Sequence, residues 1–73
     1  MNLKAKHPVQ ALSKLTQKMK LPNAQYDVMK REENMAFMKV TAAGHIATGQ
    51  APKLKMAKVE AARALLSQMG IHL

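Results

Sequence analysis

Cysteine and tryptophan are absent from this chain, and the other aromatics amount to one tyrosine and one phenylalanine in 73 residues. Without cysteine there is neither a disulfide nor a thiolate metal site, which suits a reducing setting inside the cell, nuclear or cytoplasmic. So few aromatics exclude a platform that stacks splayed bases, the device on which single-strand binders depend. Long apolar runs are missing too. None approaches the roughly 20 residues that cross a membrane, and the N-terminus lacks the apolar centre of a signal peptide, so a soluble chain outside the membrane is expected. Acidic residues are scarce: Asp27, Glu32, Glu33 and Glu60 are too scattered for an acid/base pair. No nucleophile with an adjacent base and no phosphate-binding glycine loop stands out, and no catalysis is expected. His7, His45 and His72 lack the close spacing of a zinc pair, which leaves no expected metal and no cofactor.

Positive charge is what the chain has in excess. Twelve Lys and Arg against four Asp and Glu give a net charge of +8 in 8.1 kDa. Such a balance points to a polyanionic partner, whether nucleic acid, an acidic protein or an anionic lipid surface. The length allows one small domain, which buries only about 60% of its unfolded surface. Seven methionines read chiefly as adaptable core filling, with a deformable partner surface as the alternative.

The clearest element runs from Pro52 to Gly70. Proline has a φ suited to a first helical turn, and glycine can take the left-handed conformation that stops a helix. At 1.5 Å per residue this helix spans roughly 27 Å. Leu54, Ala57, Ala61, Leu65 and Met69 form an apolar stripe that Ala62 and Leu66 widen. Lys53, Lys55 and Lys58 crowd the first turns, where the helix dipole is positive and each lysine costs a few tenths of a kcal/mol. An anion placed there would reverse that cost, although lysines on a solvated helix face are also ordinary. Lys55 and Lys58, three residues apart, are expected to share one helix face.

An earlier helix opens at Pro8 and ends near Met19 or Lys20, with Leu12, Leu15 and Met19 as its stripe, Ala11 and Thr16 at the margin, and Gln10, Ser13, Lys14 and Gln17 facing away. Met1–Lys6 is a basic lead. Leu21–Ala24 reads as a turn. Three short extended runs follow: Tyr26–Lys30, Met35–Ala42 and His45–Thr48, joined by a polar loop over Arg31–Asn34 and a hairpin turn at Ala43-Gly44. Periodicity leaves open which set of the second strand is buried, Phe37 with Lys39 and Thr41, or Met38 with Val40 and Ala42. The order is α-β-β-β-α. The expected class is α+β, a two-layer sandwich of a three-stranded antiparallel sheet with two helices packed on one face, monomeric, with Leu12, Leu15, Tyr26, Val40, Ala57, Ala61 and Leu65 in its core. The domain is placed at residues 8–70, after a lead over 1–7 and before an end at 71–73.

Pro8-Val9 with Leu12, Tyr26 after the proline turn, Phe37 in the second strand, and above all Thr48-Gly49-Gln50-Ala51-Pro52 leading into Lys55-Met56-Ala57-Lys58 and Ala61-Ala62 resemble the double-stranded RNA-binding domain family. The resemblance covers about Pro8 to Gly70. It implies double-stranded RNA as partner, with contacts at three places across successive grooves. By position these are Gln10, Ser13, Lys14 and Gln17 on the first helix; Arg31 and Asn34 with the loop they bound; and Lys53, Lys55 and Lys58. Three positions depart from the family pattern. Leu54 stands where a lysine is usual, Lys14 where a glutamate reaches the minor groove, and Glu32-Glu33 where the loop carries proline and histidine. The expectation is non-catalytic, shape-based duplex binding, weaker or altered. The alternative is a protein interaction or dimerisation module on the same fold.

Overall fold

The computed structural model describes residues 7–72. The basic lead Met1–Lys6 and the last residue, Leu73, lie outside that range. Helix α1 spans Pro8–Lys18, strands β1, β2 and β3 span Gln25–Glu32, Met35–Ala42 and His45–Ala51, and helix α2 spans Leu54–Gln68. The three strands form one antiparallel sheet in the order β1-β2-β3. This is the α+β arrangement expected from the pattern of apolar positions.

The two helices end alike. At α2, Gly70 takes φ +82°, its N–H donates to the Ser67 carbonyl at 3.0 Å, and the Ile71 N–H donates to the Leu66 carbonyl at 2.9 Å. At α1 the same paired bonds run from Lys20 to Gln17 and from Leu21 to Thr16, at 3.1 and 2.8 Å, but the left-handed residue is Lys20, at φ 57°. This is the Schellman closure, with glycine at one helix end and a lysine strained at the other. The β2–β3 hairpin turns through Ala43 and Gly44, both with positive φ, a geometry that matches the twist of the strands it joins.

Register decides the facing of β2. Met38 pairs with Gly49, Val40 with Ala47, and Ala36 with Ala51, and these alanines, Met38 and Val40 are all buried. Phe37, Lys39 and Thr41 therefore point away from the helices. α2 lies on β2 and β3, while α1 leans chiefly on α2 through its buried Leu12 and Thr16. The approach of α2 to β3 is close enough that a Cβ on Gly49 would run into the backbone of Ala57, Glu60 and Ala61. Small residues on both sides, Ala47, Ala51, Ala57 and Ala61, let the layers meet there.

Several boundaries and burials differ from the sequence expectation. α2 begins at Leu54 rather than Pro52; Lys53, in extended backbone, is its N-cap, and Pro52 precedes the helix. β1 and β3 are longer than their apolar runs, because pairing carries β1 to Glu32 and β3 to Ala51. Leu15 and Tyr26 are half-buried against the core instead of within it, and Thr16, placed at the margin, is completely buried. Its hydroxyl tolerates this by donating to the Ser13 carbonyl at 3.0 Å. Met19 and Met56 are about half exposed, at 49% and 53%, whereas Met38 fills the core.

Candidate nucleic-acid interface

The first turn of α2 carries no acidic residue, and its N-cap, Lys53, supplies no side-chain hydrogen bond to the free amides. Those amides have no partner within the helix by geometry, and the dipole adds positive character. Lys53 and Lys55 are exposed beside them. Lys58 is different. It is half-buried, with its Nζ 4.7 Å from the centre of the Tyr26 ring. Around the helix it falls in line with Leu54, Ala61 and Leu65, the stripe that faces the sheet. Lys55 and Lys58 thus do not share one outward face: Lys55 projects to solvent, and Lys58 leans over β1.

Leu54, the residue in place of an expected lysine, is half-buried against the core. Its apolar side chain helps seat the first turn of α2, and the cation next to it, Lys53, stays outside.

On α1, Gln10, Lys14 and Gln17 lie together on the exposed face, and Ser13 sits at its margin with its carbonyl occupied by Thr16. α1 and α2 both end around one groove, where Met19, Pro22, Gly44, His45 and Met69 meet. The start of α2 lies a helix length from that groove, roughly 22 Å for its 15 residues.

The third group is rearranged. The ladder between β1 and β2 continues to Glu32 opposite Met35, so the connection shrinks from Arg31–Asn34 to the exposed pair Glu33 and Asn34. A bulge at Met29 shifts the register between Val28 and Lys30, which turns Lys30 and Glu32 to the outer face, where they form an ion pair at 2.8 Å. Arg31 is exposed, in register with Ala36, which in turn pairs with Ala51. Arg31 thus lies in the row that ends at Ala51, two residues before Lys53, although the long loop implied by the resemblance is absent.

Sequence reasoning missed the ring beneath Lys58. Tyr26 and Lys58 are thirty-two positions apart and belong to different elements, and no local pattern announces their contact. Burial raises the Tyr26 phenol above its ordinary value of 10.0. Its hydroxyl is buried and finds no hydrogen-bond partner among the described residues. Among those residues, no three His, Asp or Glu side chains gather as metal ligands, and no helix is long and apolar enough to cross a membrane. No family model matches the chain, and no curated protein matches it at a significant level.

Proposed function

We propose that this protein binds double-stranded RNA without catalysis, by contacts to phosphates and sugar hydroxyls rather than to base edges. The observation that carries this reading is the start of α2: an acid-free, uncapped first turn with Lys53 and Lys55 exposed and Lys58 held beside it. Free amides and ammonium groups together are what a phosphate requires. The outward row of Gln10, Lys14 and Gln17 on α1 supplies hydrogen-bonding groups for the adjacent minor groove, with Ser13 beside them. Arg31 and Asn34 give a reduced third contact, because a two-residue turn reaches less far than a loop and Glu33 repels the backbone it would approach. Affinity is accordingly modest, and the footprint is shorter than the roughly 16 bp of a complete domain of this kind.

The outer sheet face favours a second reading. Met29, at the β1 bulge, is exposed at 56% and lines one depression with the half-buried Phe37, and Ile46, farther along the face opposite Thr41, is exposed at 58%. A protein partner or a second copy of the chain would cover such a face without any use of the lysines.

Titration of labelled duplex RNA, single-stranded RNA of the same length and duplex DNA, each at two salt concentrations, separates the readings. Preference for the RNA duplex, with weak dependence on its sequence, is the expected result. Equal binding of duplex and single strand reduces the interaction to diffuse charge. No binding of any of them leaves the interaction module as the better account.

A further inference from the structure

We propose that Tyr26 is the positioning residue for Lys58: its ring face fixes the ammonium group above β1, so that a duplex phosphate meets an amine that is already in place. The inference rests on the reading of the α2 start as a phosphate site. Its physical basis is independent of the resemblance.

Lys58 occupies a stripe position otherwise held by Leu54, Ala61, Ala62 and Leu65, the last three fully buried. A lysine in that row has to find a place for its charge. The sheet beneath the first turns of α2 provides one, because β1 is the strand that the helices cover least. Val28, in register with the buried Met38, is half exposed. Tyr26, two residues earlier, has its hydroxyl end buried and its ring in contact with the core, which holds the ring plane still. The Lys58 stem therefore runs along apolar surface while its ammonium rests on an electron-rich ring face, 4.7 Å from the centroid.

Among the described residues Lys53 and Lys55 show no such support, and they must order their stems when they bind an anion, at a cost in side-chain entropy. For Lys58 that ordering is already present in the free protein. An ammonium has three donors, and the ring engages one side of it, which leaves donors free for a phosphate on the other side. What the role demands of residue 26 is an aromatic face, not a hydroxyl. Phenylalanine should serve and an aliphatic side chain should not.

The test is a double-mutant cycle on duplex RNA affinity, with Tyr26→Phe, Tyr26→Leu and Lys58→Met, each variant first shown by thermal melting and amide NMR to be folded. The expected results are unchanged affinity for Tyr26→Phe, a loss of about two- to fivefold for Tyr26→Leu, the size of an exposed cation–π contact, and no further loss when Tyr26→Leu is added to Lys58→Met. A purely structural tyrosine would not produce that last result. Equal losses from Tyr26→Leu in both backgrounds, no loss at all, or tighter binding on removal of the ring would overturn the positioning role while leaving duplex binding intact. Failure of the unsubstituted protein to bind duplex RNA would instead overturn both the site and the role assigned to Tyr26.

Discussion

Lys20 shows how a single residue can strain a fold that is otherwise well closed. It sits at φ 57°, the place that Gly70 fills at the end of α2. A side chain there costs about 1 to 2 kcal/mol. Glycine adds roughly 0.5 to 1 kcal/mol of entropy cost, so Lys20→Gly should stabilise the protein by up to about 1 kcal/mol. For a domain of this size that is a rise of several degrees in melting temperature, about 4–8 °C per kcal/mol. An unchanged or lower melting point would show that the α1 closure is held by something other than backbone conformation. Tyr26 gives a second residue-scale prediction. Its phenol is raised in the folded state, so the stabilisation from keeping it neutral is complete below the unfolded value of 10.0 and is lost as pH climbs through the higher folded value. Melting curves from about pH 9 to about pH 11 should therefore fall more steeply for the unsubstituted protein than for Tyr26→Phe, which has no group to titrate. At neutral pH, Tyr26→Phe should be as stable or slightly more so, since it removes a buried hydroxyl that has no partner among the described residues.

The contact between α2 and β3 makes Gly49 the least replaceable position among the elements. Gly49 faces the helix backbone, and neither the Ala57 carbonyl nor the Ala61 amide can swing aside as the end of a side chain could. Gly49→Ala should cost about 1–3 kcal/mol or more, read as a lowered denaturation midpoint, whereas Gly44→Ala, in an open turn, pays only for its backbone conformation. Equal losses at the two positions would refute the close approach. Legibility in the sequence also divides by element. The order of elements, the turn at Ala43-Gly44 and the stop at Gly70 could be read locally, because each depends on residues adjacent in the chain. The facing of β2 could not, since Phe37 and Met38 head two equally plausible alternations; pairing of Met38 with Gly49 decided it. β1 ran past its apolar residues into Lys30, Arg31 and Glu32 because ladder hydrogen bonds to β2, not hydrophobic pattern, hold that end. Of the candidate site, the lysines and the outer face of α1 were visible from spacing. The Tyr26 ring under Lys58 and the row that joins Arg31, Ala36 and Ala51 arise from tertiary register, which no window of sequence contains.

At the scale of the whole molecule, the charge of +8 is not spread evenly in its consequences. Lys30 and Arg63 are paired with Glu32 and Glu60, each at 2.8 Å, while the start of α2 has three lysines and no acid in its first turn. Binding should therefore depend on where a cation is removed as well as on how many are removed. The most direct test is the salt dependence of duplex RNA affinity for Lys55→Ala with Lys58→Ala, compared with Lys30→Ala with Lys39→Ala, which removes the same charge from the outer sheet face. Each phosphate contact contributes roughly 0.9 to the slope of log affinity against log salt if the value for duplex DNA carries over. The α2 pair should weaken binding at least tenfold and flatten that slope by up to about two units, with little change in melting temperature, while the control pair has a much smaller effect. Equal losses from the two pairs would contradict a localised phosphate site at the start of α2.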